Sequence, residues 1–175
     1  MKKPNTVGGG ANTTRNGLEF EQGTDLAEAF IEHPLYKLNG DGIVERTTGR
    51  EVGRMYGKNK LYKNLLEANG VNYQDILSKK LLPDDALLVD KTLFIIEKKY
   101  QASAGSVDEK LQTCDFKRKQ YAKLLAPLGI AVEYHYVLNS AWFDKPSYRD
   151  VFDYIESVGC RHFFDIIPLE ALGLQ

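Results

Sequence analysis

Two apolar runs dominate the middle of the chain, Ala86-Leu87-Leu88-Val89 and Leu93-Phe94-Ile95-Ile96, with a short polar break at Asp90-Lys91 between them. Runs of this length, rich in Leu, Ile, Val and Phe and parted by a turn, predict a hairpin of buried strands. A turn centred on Asp90-Lys91 sets Asp84 opposite Glu97; a turn one residue longer sets Asp85 there instead. Side chains alternate along a strand, so Glu97 and Lys99 share one face and Lys98 points to the other. Upstream, Leu18, Phe20, Leu26, Ala29, Phe30 and Ile31 recur with helical spacing, interrupted near Gly23, where Thr24 can re-cap the helix. Glu19 and Glu21 fall on this predicted helix. Asn39-Gly40-Asp41-Gly42 predicts a turn before a strand at Ile43-Val44, and the Leu61, Leu65, Leu66 spacing predicts a helix stopped by Asn69-Gly70.

Downstream, Ser106 with Glu109 matches a capping box and opens a helix over 107–125, bent around Cys114-Asp115 and ended by Pro127-Leu128-Gly129. A strand follows over 130–138, then a loop over 139–145 that holds Trp142 and Phe143. Pro146 opens a further helix that Gly159 terminates, and residues 161–167 form a last strand closed by Pro168. The order is helix, strands including the central hairpin, helix, strand, helix, strand. That is an α/β chain with a mixed central sheet flanked by helices. Residues 1–16 are polar and rich in glycine, a flexible N-terminal arm by composition, and residues 17–175 read as one domain.

At 175 residues the chain is long enough for one self-sufficient core. The formal net charge of −1 offers no global attraction for nucleic acid, so any such attraction must come from local clustering. Lys98, Lys99, Lys110, Lys117, Arg118, Lys119 and Lys123 gather after the hairpin, and acids gather near Asp144, Asp150, Asp153 and Glu156. A surface polarised in this way can dock a phosphate backbone by releasing counterions. Cys114 and Cys160 are too few for a disulfide framework and lack metal-ligand spacing, which suits a reducing cytoplasm. No apolar leader or membrane-length run is present, and no membrane partner is expected. His33, His135 and His162 are scattered, which argues against zinc.

Acids held side by side repel unless something neutralises them. A divalent cation does so, and carboxylate oxygens with the remaining positions left to water and phosphate suit Mg2+. The candidate ligands are Asp84 or Asp85, Glu97 and the backbone carbonyl of Lys98. Such an ion polarises a scissile phosphate and activates water, while the Lys99 ammonium positions that water or offsets developing charge. No organic cofactor is called for.

Pro83-Asp84, the apolar hairpin and Glu97-Lys98-Lys99 resemble the signature of the PD-(D/E)xK nuclease superfamily, whose fold is restriction-endonuclease-like. Tyr100-Gln101 and the stretch from Gly105 to Leu111 resemble the extension seen in bacterial type II restriction endonucleases. The resemblance covers the chain from about Gly17 onward and implies a Mg2+-dependent DNA endonuclease that leaves a 5′-phosphate, with Mn2+ able to substitute. It favours Asp84, directly after the proline, although the doubled acid leaves Asp85 open. It also implies a water-mediated metal role for Glu21 on the first helix. Gln101, two residues past Lys99 on the same face, is expected at water or phosphate. Lys98, Lys110, Lys117, Arg118, Lys119 and Lys123 are the expected DNA contacts. Cutting both strands with one small site implies a homodimer or two sequential nicks. The rivals are a structure-selective repair or recombination nuclease and a catalytically silent DNA-binding module.

Overall fold

The hairpin closes at Asp90-Lys91. Strands β5 (Asp85–Val89) and β6 (Thr92–Lys99) pair antiparallel, with Val89 opposite Thr92 and Asp85 opposite Ile96. A two-residue loop between twisted strands needs left-handed backbone, and Asp90 provides it at φ 51°. This is the shorter of the two turns, so Asp84 is the residue that continues the register against Glu97. The computed structural model describes residues 17–31 and 33–175. The arm expected over residues 1–16 lies outside them.

Around β6 the chain builds a seven-stranded mixed sheet in which β2 (Tyr36–Asn39), β3 (Gly42–Glu45), β4 (Glu51–Met55), β5, β6, β7 (Ala131–Leu138) and β8 (Arg161–Phe164) lie in chain order. The first five form an antiparallel meander. β7 then runs parallel to β6 from Thr92↔Ala131 to Lys99↔Leu138, and β8 runs parallel to β7. Parallel neighbours require a crossover. Helices α2 (Val107–Leu111) and α3 (Cys114–Leu125) make the first, and α4 (Ser140–Phe143) with α5 (Arg149–Ser157) makes the second.

Both faces of the sheet are covered, which explains why its central strands are continuous apolar runs rather than alternating ones. On one face Leu93 and Ile95 pack with Tyr134, Tyr136, Leu111, Leu124 and Ile155. On the other, Leu87, Phe94, Ile96 and Val137 pack with Leu26 and Phe30 of α1 (Leu26–Ile31), Leu18 and the C-terminal turn Leu169–Leu172. Each fully buried aliphatic here contributes about 1.5–3 kcal/mol.

The N-terminal helix is shorter than its sequence pattern predicts. Leu18 and Phe20 are buried while Glu19 is exposed, a two-residue alternation that belongs to β1 (Gly17–Glu19), which pairs antiparallel with β9 (Ile166–Pro168). Helix begins only at Leu26, so Glu19 lies on a strand and Glu21 in the turn after it, not on a helix. A distant partner strand overrode the local spacing. The predicted last strand is likewise split, because Asp165 adopts φ 57° and sends β9 out of the main sheet.

Smaller differences follow the same logic. The helix over 107–125 breaks at Gln112-Thr113, and Ser106 stands at its start without a side-chain cap bond. Residues 140–143 of the expected loop form α4. The segment Leu61–Leu66 is wound as a π-helix, and Gly70 at φ 75° ends the helical run as its sequence predicts. Among the described residues no helix is long and apolar enough to cross a membrane.

Candidate functional site

At the open end of the hairpin Asp84-Asp85 and Glu97-Lys98-Lys99 are dealt alternately to the two faces of the sheet. Asp84, Glu97 and Lys99 fall on the face covered by α3; Asp85 and Lys98 fall on the other.

On the first face Lys99 Nζ lies 2.9 Å from Glu97 Oε2, 3.3 Å from the Lys98 carbonyl oxygen and 3.9 Å from Asp84 Oδ2. Oxygens from Glu97 and Lys98 of β6 and from Asp84, just before β5, thus converge on one cation. Asp84 is held toward them by the Lys98 main-chain N–H, which donates to Asp84 Oδ2 at 3.1 Å. The exit of β4 closes on this acid as well. A Cβ at Gly57 would come within 3.2 Å of the Asp84 carbonyl oxygen, a tight contact that glycine avoids.

Glu97 is only 4% exposed. A carboxylate at that depth needs partners, and its second one is Lys117 of α3, whose Nζ is 3.5 Å from Oε2. The phenols of Tyr121 and Tyr134 complete the surroundings. Burial, and after it the Glu97 charge, pushes both well above the ordinary tyrosine value, so they remain protonated. Lys117 and Tyr121 are four residues apart and reach the site from one side of α3.

On the second face Lys98 Nζ lies 3.0 Å from Asp85 Oδ2 and donates to the Thr24 carbonyl at 2.6 Å. The Leu26 N–H at the start of α1 lies close enough to favour the Asp85 carboxylate electrostatically. Burial raises the Asp85 carboxyl above its ordinary value, against the lowering pull of Lys98 and of that N–H. This pair therefore ties the turn that carries Glu21 to the sheet. It does not meet Glu97.

A cleft of about 620 Å³ opens at this end of the sheet, lined among others by Glu21, Lys58, Asp84, Asp85, Lys98 and Lys99. Glu21 is exposed there. Gln101 has both of its backbone groups bonded by the Asn139 side-chain amide, at 2.8 and 2.9 Å. Asn139 thereby extends the β6–β7 ladder by one step. The Gln101 side chain is buried, yet among the described residues neither Nε2 nor Oε1 has a hydrogen-bond partner.

The basic cluster is dispersed, because consecutive helical residues point about 100° apart. Lys117 turns inward to Glu97. Arg118 is 3.9 Å and Lys119 2.7 Å from Asp115, while Lys110 and Lys123 are exposed. Arg46 donates to the His33 and Ile31 carbonyls, Arg50 pairs with Glu45 and Arg54 with Glu51, so all three arginines are engaged locally. Trp142 is half-buried and donates to Tyr148 Oη at 2.8 Å. His135 is buried between Phe94 and Phe163, 3.1 Å from Glu133.

The sequence pattern did not single out Lys117 as a partner of Glu97, nor Asn139 as the lock on Gln101. Among the described residues no group of three or more His, Cys, Asp or Glu side chains is placed to hold a metal. The oxygens around Lys99 Nζ are two carboxylates and a main-chain carbonyl, a hard donor set suited to Mg2+ with its remaining positions left to water or phosphate. The chain matches no model of a protein family, no curated protein and no solved structure.

Proposed function

We propose that the chain is a Mg2+-dependent DNA endonuclease of the restriction-like class, with Asp84, Glu97 and the Lys98 carbonyl as the cation ligands and Lys99 as the catalytic amine. The observation that carries this reading is the convergence of those three oxygens on one ammonium. A positive charge already sits where a cation fits. The mixed sheet, with the Asp and the Glu-x-Lys on neighbouring strands and a helical crossover to a parallel strand, supports the same reading.

Mg2+ bound there supplies Lewis acidity toward a phosphodiester and lowers the pKa of nearby water. The rest falls to the protein. Asp84 and Glu97 hold the ion against the strand ends, and burial of Glu97 keeps that ligand dry and fixed. The Lys99 ammonium, on a flexible stem, turns to the phosphate and offsets the charge that develops in the transition state. Gln101 has an uncommitted donor and acceptor on a backbone locked by Asn139, and it orients the attacking water through Oε1. Asp85 takes a structural part at the Glu21 turn.

The test is cleavage of plasmid and duplex DNA by the purified chain with Mg2+, with Mn2+ and with chelator. Metal-dependent cutting is expected, and Glu97→Ala and Lys99→Ala are each expected to abolish it while the circular dichroism spectrum is unchanged. Undiminished nicking by both variants would remove the mechanism.

A further inference from the structure

The charges around Glu97 cancel without any metal. Asp84 and Glu97 contribute two negative charges, and Lys99 and Lys117 contribute two positive ones, at 2.9 Å and 3.5 Å from Glu97 Oε2. Lys117 comes from α3 rather than from the hairpin, and it has no other ion-pair partner among the described residues. A divalent cation entering this group meets a neutral site and leaves it with a surplus of two positive charges. In a place where Glu97 is almost fully buried, that surplus is costly unless an anion accompanies the ion.

We infer that Lys117 is an internal counter-ion that makes cation capture conditional on the phosphate backbone of the substrate. The inference rests on the metal-site reading above. A DNA phosphodiester supplies one of the missing negative charges beside the ion, so metal and DNA each raise the affinity for the other by the same factor, as linkage requires. In its absence Lys99 and Lys117 compete with the ion for Glu97 and hold the carboxylate in reserve. Because α3 brings Lys117 to the site, the device belongs to the helix and not to the Glu-x-Lys strand.

The measurement is Mn2+ affinity of the whole 175-residue chain by isothermal titration without DNA, for wild type, Lys117→Met, Lys117→Arg and Glu97→Gln, with the thermal midpoint of each recorded. Lys117→Met leaves the site one charge more negative and is expected to bind Mn2+ about tenfold more tightly than wild type. Lys117→Arg keeps the charge and is expected to resemble wild type. A second titration with Ca2+, with and without a short DNA duplex, is expected to show a smaller DNA-induced gain in Lys117→Met than in wild type. If Lys117→Met binds Mn2+ no more tightly than wild type at an unchanged thermal midpoint, the inference falls. A Lys117→Arg variant that binds as tightly as Lys117→Met also overturns it, because charge is then not the cause. If Glu97→Gln does not weaken Mn2+ binding, the metal-site reading itself fails, and that result is separate from the other two.

Discussion

The two faces of the hairpin's open end hold the same residue types and do different things. On one, Asp84, Glu97 and Lys99 lie on the α3 side, with two carboxylates and a main-chain carbonyl converging on one ammonium. On the other, Asp85 pairs with Lys98 at 3.0 Å and Lys98 donates to the Thr24 carbonyl at 2.6 Å, which fixes a turn. Neighbouring residues were separated by the pleat alone. Both pairs reach the cleft; the Lys98 pair also bonds the Thr24 main chain, and under the proposed function it is the Lys99 group that exchanges its ammonium for a cation.

The sharpest way to break this comparison is to remove the equivalent acid from each face. Asp84→Asn is expected to lower cleavage about a thousandfold, ~4 kcal/mol in barrier, with little change in denaturation midpoint. Asp85→Ala is expected to lose about 2 kcal/mol of stability in urea denaturation, because the partly buried Lys98 loses its ion-pair partner, with a smaller effect on the rate of cutting. Reversal of these two outcomes would show that the faces had been assigned the wrong way round.

Gln101 sharpens the contrast at a lower magnitude. A buried amide with no partner burdens the fold, so a purely structural residue at this position would be a poor choice. Gln101→Met is expected to gain about 1 kcal/mol in stability and to lose about tenfold in cleavage rate. A variant that is more stable and equally active would take Gln101 out of the site.

The smallest expected effect is in pH dependence. Burial holds the Asp85 carboxyl above its ordinary value. Between the unfolded and folded values the native state binds the extra proton, so this residue costs the fold stability as pH rises through that window. Asp85→Asn does not titrate. Its stability deficit relative to wild type should therefore shrink, by less than about 1 kcal/mol, between roughly pH 4 and neutrality. A deficit that grows over the same range would mean that Lys98 outweighs burial at this site.

Much of the molecule was legible locally, because the forces that fix it act between near neighbours in the chain. The Asp90-Lys91 turn, the doubly buried strands and the stop signals at Gly70 and Gly159 all hold in the structure. The alternation of side chains correctly put Glu97 with Lys99 and parted them from Lys98. The first helix failed because Leu18 and Phe20 satisfy a strand pattern whose partner, β9, is at the far end of the chain.

Sequence alone determined which chemical groups stand at the strand ends and left two options for the pairing register; it could not choose between Asp84 and Asp85. Tertiary structure chose, because turn length fixes the parity that sends each acid to its face. It also brought Lys117 to Glu97 and the Asn139 amide to the Gln101 backbone. Those contacts depend on how α3 and β7 pack against β6, and packing between elements distant in sequence leaves no periodic trace along the chain.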